Sequence, residues 1–179
     1  MSETKRTVLR SIRLSEEHDR LLEQEAKRKG VSVNALLANL ITKYSEWDRF
    51  AERFGIVSLG RQGFRSIFDL MTQEQLVAHG KQVGQESAPD FVRFWFGRLD
   101  LGTFLSFLKL FSKYSGVFQY EVETQGRSHA ITFHHELGPR YNVVLANYLD
   151  QAIRKIVGAA PKIEVGNNSL VVSFEEPYP

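Results

Sequence analysis

Apolar and polar residues alternate near the start of the chain and then change to a helical spacing. Residues 6–14 carry the alternation, which is typical of a β-strand. One side of this strand is formed by Val8, Ile12 and Leu14, and the other by Leu9, Ser11 and Arg13. A single strand leaves its backbone hydrogen-bonding groups without partners, so we expect it to pair with the same strand of a second copy.

Two helices are predicted after this strand, each with its own start signal. Ser15 is expected to cap the first helix, which Gly30 ends, and Ser32 is expected to cap the second. The second helix has a stripe of apolar residues at helical spacing, formed by Leu36, Leu37, Leu40, Ile41 and Tyr44. We expect this stripe to be buried between two copies of the chain. The helical pattern continues as far as Phe54, before Gly55.

The order of strand, capped helix, glycine stop and second capped helix over residues 6–54 resembles the ribbon-helix-helix family of dimeric DNA-binding proteins. The resemblance implies an intertwined β-α-α dimer whose paired strands lie as a ribbon in the DNA major groove. It also implies that outward strand residues contact bases and that the turn before the second helix anchors the DNA backbone. The expected DNA-binding residues are Arg6, Leu9, Arg10, Ser11, Arg13, Ser32, Val33 and Asn34.

Leu9 departs from the polar residue that the family usually has at an outward position of the strand. Two explanations are open. In the first, Leu9 contacts a thymine methyl group; in the second, the register of the strand differs and Arg10 takes part in the DNA contact. Arg13 is suited to a bidentate contact with guanine, and Ser11 to several base edges.

The distribution of charge favours nucleic-acid binding more than the net charge does, which is only +2. Four basic residues lie between Glu3 and Glu16 without an acidic residue among them, namely Lys5, Arg6, Arg10 and Arg13. In a dimer this stretch doubles into a compact cationic patch. A solvated basic tail is the alternative explanation.

The remaining two thirds of the chain change from helical spacing to alternation. Helices are expected at 64–70, after Thr72, from Pro89, at 101–114 and after Pro139. Strands are expected at 118–123, 130–135, 163–165 and 170–174. We therefore predict an α+β protein with a ribbon-helix-helix domain for DNA binding and dimerisation at 1–55. A mixed α+β domain with an antiparallel sheet is expected at 56–179.

Aromatic residues are unusually dense between positions 91 and 114. They are Phe91, Phe94, Trp95, Phe96, Phe104, Phe107, Phe111 and Tyr114. The hydrophobic core of the domain is the default interpretation. A subunit interface, which would give a higher oligomer, and a pocket for a small apolar ligand are the alternatives.

Metal binding and catalysis are not expected from this sequence. His129 and His135 fall on one side of a predicted strand and His134 on the other, so the three histidines diverge instead of converging on a metal. The chain has no cysteine, no glycine-rich phosphate loop and no nucleophile elbow. We therefore predict neither an enzyme nor a bound cofactor.

The predicted function is that of a sequence-specific transcriptional regulator, such as a repressor, that binds double-stranded DNA as a homodimer. Its C-terminal domain is expected to assemble dimers or to sense a small apolar ligand or a protein. An antitoxin-like module that binds DNA only for autoregulation is the alternative, although antitoxin tails are usually short, polar and disordered until bound. The N-terminus lacks a signal peptide, and no apolar run approaches the roughly 18–20 residues of a membrane span. A cytoplasmic location without a membrane partner is expected.

Overall fold

The computed structural model of the protein describes residues 8–178, which form a mixed arrangement of helices and one antiparallel sheet. The α+β class predicted from the sequence is therefore confirmed. Contacts divide the chain into two compact units between Asp48 and Arg49. This division lies a few residues before the boundary that the sequence predicts, which follows Gly55.

Helix α1, Glu16–Lys29, and helix α2, Val33–Lys43, form the N-terminal unit together with a π-helical segment, Tyr44–Asp48. Ser15 Oγ accepts a hydrogen bond from the His18 amide at 3.3 Å, which confirms the predicted cap of α1. Gly30 ends α1 in the left-handed conformation, with a φ of 65° that favours glycine. The amide of Val31 donates to the Ala26 carbonyl, which completes the glycine stop predicted from the sequence.

Residues 8–14 have no regular secondary structure, so the described chain starts with a helix and not with a strand. The strand predicted over 6–14 is thus absent from the part of it that is described, and the ribbon-helix-helix arrangement is not confirmed. The physical reason is that a strand needs a neighbouring strand to bond its backbone groups, and a single copy offers none here.

The apolar stripe of α2, which is predicted to be buried between two copies, is only partly buried in the single chain. Leu36 is buried, but Leu40, Ile41 and Tyr44 keep 48%, 69% and 57% of their surface exposed. Helix α1 contacts α2 and contributes Ala26 as a buried residue. Two helices of this size cannot cover apolar residues that extend over so wide a face.

The C-terminal unit begins with a series of helices. They are α3 (Arg49–Phe54), α4 (Arg61–Asp69), α5 (Gln73–Gln82), a π-helical segment (Val83–Ser87), α6 (Ala88–Phe96) and α7 (Leu101–Ser115). Thr72 caps α5 in a reciprocal pair of hydrogen bonds with Gln75, as a helix start at Thr72 predicts. None of the helices formed by residues 8–178 has the length and apolar content that a bilayer crossing requires.

Four strands then form one sheet with the order β1-β2-β4-β3, and all neighbours are antiparallel. They are β1 (Gln119–Gln125), β2 (Ser128–His134), β3 (Lys162–Val165) and β4 (Ser169–Glu175). Helix α8, Pro139–Ile156, lies between β2 and β3 in sequence and contacts β3 and β4. The core contains Ile131 and Phe133 from β2, Leu170 and Val172 from β4 and Leu149 and Ile153 from α8. The predicted antiparallel sheet with one helix is confirmed.

Alternation along a strand is typical of one buried face, but the side chains of β1 are almost all exposed. Val122 lies opposite the fully buried Ile131, and yet 42% of its surface is exposed. The alternation of apolar and polar residues correctly predicts a strand here. The burial differs because β1 is an outer strand of the sheet, and only one neighbouring strand flanks it.

Two glycines set the distance from α8 to α5 and to the π-helical segment that follows it. A Cβ atom on Gly80 would lie 2.5 Å from the Val144 carbonyl oxygen, and one on Gly84 would lie less than 3.0 Å from the Tyr148 carbonyl oxygen. These distances are too short for any side chain, so both positions require glycine for a steric reason. The chain remains helical past Gly84, because α5 is followed directly by the π-helical segment and then by α6.

Candidate nucleic-acid interface

The residues expected to contact DNA bases lie in the segment before α1, where every described side chain is exposed. Leu9 has 95% of its surface exposed, and Arg10, Ser11 and Arg13 are also exposed. Arg6 lies outside the described residues. Among residues 8–178, neither Arg10 nor Arg13 takes part in an ion pair, so both guanidinium groups are available to a phosphate or a base.

The apolar side of the same segment is exposed as well. Val8, Ile12 and Leu14 are the residues that the alternation assigns to a core beneath the strand, and all three are exposed in the single chain. The segment therefore exposes both its arginines and its apolar side chains in the single chain.

The turn between α1 and α2 places Ser32 at the start of α2, as predicted. Its Oγ accepts from the Ala35 amide at 3.1 Å, and its carbonyl accepts from the Leu36 amide at 3.0 Å. The first two amides of the helix belong to Val33 and Asn34, and helix geometry leaves such amides without an intrahelical acceptor. These amides, with the positive end of the helix dipole, are suited to a phosphate.

Two of the three basic residues in the last turn of α1 are engaged within their own helix. Glu25 forms ion pairs with Arg28 and Lys29, at 2.5 Å and 3.1 Å. The hydrogen bond from Arg28 and then that from Lys29 lower the pKa of Glu25 to about 2. The charges of Arg28 and Lys29 are therefore partly neutralised, whereas Arg10 and Arg13 have no ion pair among residues 8–178.

Among the described residues, no hydrogen bond or ion pair joins the segment at 8–14 to the turn at 32–34. The two groups of predicted DNA-binding residues are therefore not brought into one site by side-chain bonds within a single copy.

The histidines of the C-terminal unit lie as the sequence predicts. His129 and His135 are buried on the side of β2 that carries Ile131 and Phe133, whereas His134 is exposed. Across residues 8–178, no group of three or more metal-ligating side chains converges. His129 Nδ1 lies 3.0 Å from Thr124 Oγ1, which gives that buried ring a partner inside the protein.

His135 belongs to a buried polar cluster that the sequence did not reveal. Its Nδ1 accepts from the Leu137 amide, and its Nε2 donates to Asn142 Oδ1 at 2.5 Å. The Asn142 amide group then donates to the carbonyls of Gly166 and Asn167 in the turn between β3 and β4. The cluster is structural, since both ring nitrogens are used. The signal for it is a single asparagine on the apolar side of α8.

Stability should decrease as the pH falls below about 6.5, because burial lowers the pKa of His135. The unfolded chain then binds a proton that the folded protein excludes, so the free energy of unfolding falls with pH at no more than about 1.4 kcal/mol per pH unit. Urea denaturation at pH 7.5 and 5.5 measures this change in the free energy of unfolding. His135→Gln should reduce the pH dependence, and the exposed control His134→Gln should keep it. Equal pH dependence in both variants would contradict the assignment.

The aromatic residues form a continuous series of ring contacts through the C-terminal unit. Phe54 stacks on Phe91 with centroids 4.1 Å apart, and Phe91 stacks on Phe107 at 5.5 Å. The series continues through Phe111 and Phe118 into the sheet. This arrangement supports the core interpretation. Cavities of about 710 and 220 Å³ are lined by other residues, so neither gives the eight aromatics a ligand pocket.

No protein-family model matches this chain, and no curated protein matches it.

Proposed function

We propose that this protein is a sequence-specific transcriptional regulator that binds DNA as a homodimer, with residues 6–14 of two copies paired as a ribbon in the major groove. The observation that carries the proposal is the uncovered apolar surface of the N-terminal unit. Its exposed members are Val8, Leu9, Ile12, Leu14, Leu21, Val31, Leu40, Ile41 and Tyr44. A unit of fewer than 50 residues gains little stability from a core of its own. This number of exposed apolar residues therefore favours a binding partner.

A second copy accounts for both exposed parts of this unit. Pairing of two segments at 8–14 would satisfy their backbone groups and place Val8, Ile12 and Leu14 over the α2 stripe of the pair. Burying a leucine or isoleucine side chain contributes about 1.5–3 kcal/mol, which is enough in sum to offset the ordering of the segment. The dimer would therefore form its strand and its core in the same step.

Pairing would also orient Arg13. With the apolar side covered, Leu9, Ser11 and Arg13 face outward on each strand, because side chains alternate. A two-stranded ribbon fits the major groove, where an arginine can read guanine. The amides of Val33 and Asn34 beside the Ser32 cap would hold a phosphate of the backbone and fix the position of the ribbon.

The C-terminal unit favours a regulator over an antitoxin. An antitoxin tail depends on its toxin to become ordered, whereas residues 49–178 contain fully buried core residues from both helices and strands. Leu76, Phe104, Ile131 and Leu149 are examples. A unit with a core of this kind is suited to assembly or to effector sensing.

Arg13→Ala should weaken binding to the selected DNA site by about 1–3 kcal/mol, the usual cost of losing a bidentate base contact. The site is obtained first by selection from random duplexes with the full chain, and affinity is measured by fluorescence anisotropy at several salt concentrations. Affinity for the site should fall steeply with salt, as phosphate contacts require.

Arg98→Ala serves as the matched control, because Arg98 is an exposed arginine of the C-terminal unit whose Nε is 2.9 Å from Asp100. It should leave affinity and site preference unchanged. Unchanged affinity and preference in Arg13→Ala would show that Arg13 does not lie in the groove. Failure to select any site would reject the proposed function itself.

A further inference from the structure

The two outer strands of the sheet differ in the charges that they present. Strand β1 carries Glu121 and Glu123 on the side of the sheet that faces away from Ile131, and no basic residue. Strand β3 carries Lys162 and Glu164 on that same side, one charge of each sign. The edge of β3 is therefore electrically balanced, whereas the edge of β1 is acidic.

The backbone of β3 has a defined set of groups at its outer edge. The Gly166 amide donates to the Ser169 carbonyl at 2.8 Å, which closes the hairpin with β4. In an antiparallel ladder, every second residue forms backbone hydrogen bonds with the neighbouring strand. Counting back along the chain from Gly166, these residues are Glu164 and Lys162, which bond to β4. Ile163 and Val165 then direct their amide and carbonyl groups toward the open edge.

We propose that β3 is an assembly site for a second copy of this chain, which adds its own β3 antiparallel and joins two sheets into one of eight strands. The pairing is centred on Ile163, opposite Ile163 of the partner subunit. In this register Lys162 lies opposite the partner's Glu164, and Glu164 opposite the partner's Lys162. Both cross-strand pairs are attractive, so the edge is complementary to itself in charge. Pro161 lies opposite Val165 of the partner subunit and has no amide to donate, so the two Ile163 residues supply the central pair of backbone hydrogen bonds.

The apolar side of β3 agrees with this register. Ile163 is half-buried, and Val165 has 58% of its surface exposed although its ladder partner, Leu170, is fully buried. A second copy would cover both side chains. The Lys162–Glu164 ion pair within one copy, at 2.6 Å, is exposed and contributes little, so its partners can turn to the other copy at small cost.

Strand β1 is not suited to the same pairing. Full overlap of two β1 strands is centred on Val122 and puts Glu121 opposite the partner's Glu123 twice over. Like charges directly opposite each other are destabilising. The charges thus protect one edge of the sheet from assembly and leave the other complementary to a copy of itself.

Charge reversal tests the assembly site in the full chain by sedimentation over a range of concentrations. Lys162→Glu and Glu164→Lys each replace two attractive pairs with two repulsive ones, and each should weaken this association step about tenfold or more. An equimolar mixture of the two variants restores opposite charges at every position and should associate like the wild type. The control Lys109→Glu reverses an exposed charge on α7, away from both sheet edges, and should have no effect.

The design separates this site from the proposed N-terminal dimer. If both interfaces exist, the wild type sediments as a species larger than a dimer and the reversed variants as dimers. If only the β3 site exists, the wild type is a dimer and the variants are monomers. Identical masses for wild type and both variants at all concentrations would overturn the proposal.

A cysteine at position 163 detects the contact even when it is weak, because the chain has no other cysteine. Residues in a hydrogen-bonded antiparallel pair have Cα atoms about 5.5 Å apart, which is within the range of a disulfide. Ile163→Cys should therefore oxidise to a covalent dimer, and the β1 control Val122→Cys should not. Equal cross-linking of both, or of neither, would reject the register.

Discussion

Alanine at Gly84 is expected to destabilise the C-terminal unit by about 2–3 kcal/mol, although alanine normally favours a helix over glycine. The new methyl group would meet the Tyr148 carbonyl and the Gln151 Cβ atom, the latter at 2.9 Å. These atoms belong to the backbone and to the base of a side chain on α8, so they cannot move away without shifting the helix. A loss of this size is a large part of the 5–15 kcal/mol that usually holds a domain together.

Gly63→Ala is the matched control for this prediction. Gly63 lies in α4, and a Cβ atom there would meet only the Leu59 side chain, at 3.7 Å, which is an ordinary contact. This substitution should stabilise the protein by about 0.5–1 kcal/mol through the loss of backbone freedom in the unfolded chain. Thermal and urea unfolding of both variants gives the comparison. Similar stabilities for the two would mean that the π-helical segment and α8 are farther apart than described.

Leu40→Asp is expected to weaken the proposed homodimer by about 3 kcal/mol, roughly a hundredfold in Kd. The single chain should tolerate the change, because Leu40 is already 48% exposed in it. In the dimer, a second copy would bury the carboxylate at position 40 within the α2 stripe, and this stripe contains no basic residue to pair with it. Sedimentation equilibrium of the full chain measures the effect, and circular dichroism shows whether the helices persist.

Asn39→Asp adds a negative charge at the neighbouring exposed position without changing the size of the side chain. It lies away from the centre of the stripe and should leave the dimer intact. A folded, undiminished dimer in Leu40→Asp would reject the ribbon-helix-helix arrangement. Because the β3 site is separate from residues 8–48, the reversed-charge variants of β3 provide a suitable background for this measurement.

Local signals in the sequence predicted most of the helix ends and the sheet. Three helices start at residues whose side chains accept a hydrogen bond from an amide three residues later, namely Ser15, Ser32 and Thr72. Gly30 ends α1 through its own φ. A window of a few residues therefore contains the information that sets these helix ends. The hairpins are equally local, since a short turn joins the strands in each.

Features that depend on distant residues were not predictable in this way. The close approach at Gly80 becomes visible only when α8 is placed against α5, more than 60 residues later in the chain. Asn142 acquires its role from the turn that follows β3. The exposure of Val122 depends on its position at the sheet edge, which the alternation alone does not contain.

The candidate interface shows the same limit more strongly. The order of residues along the chain and a family resemblance predict Arg13 and Ser32 as DNA-binding residues, and both are exposed. Whether residues 6–14 form a strand depends on a partner strand that no window of a single sequence supplies.

The strand order has a kinetic consequence. Each hairpin can close quickly, but the central pairing of β2 with β4 joins residues that are several dozen positions apart, with all of α8 between them. Closing so long a loop is unfavourable until the contacts on both sides of α8 form together. Completion of the sheet is thus expected to be the slow, cooperative step in folding. The hairpin of β3 and β4 docks late, and the edge strand β3 becomes available only after this docking.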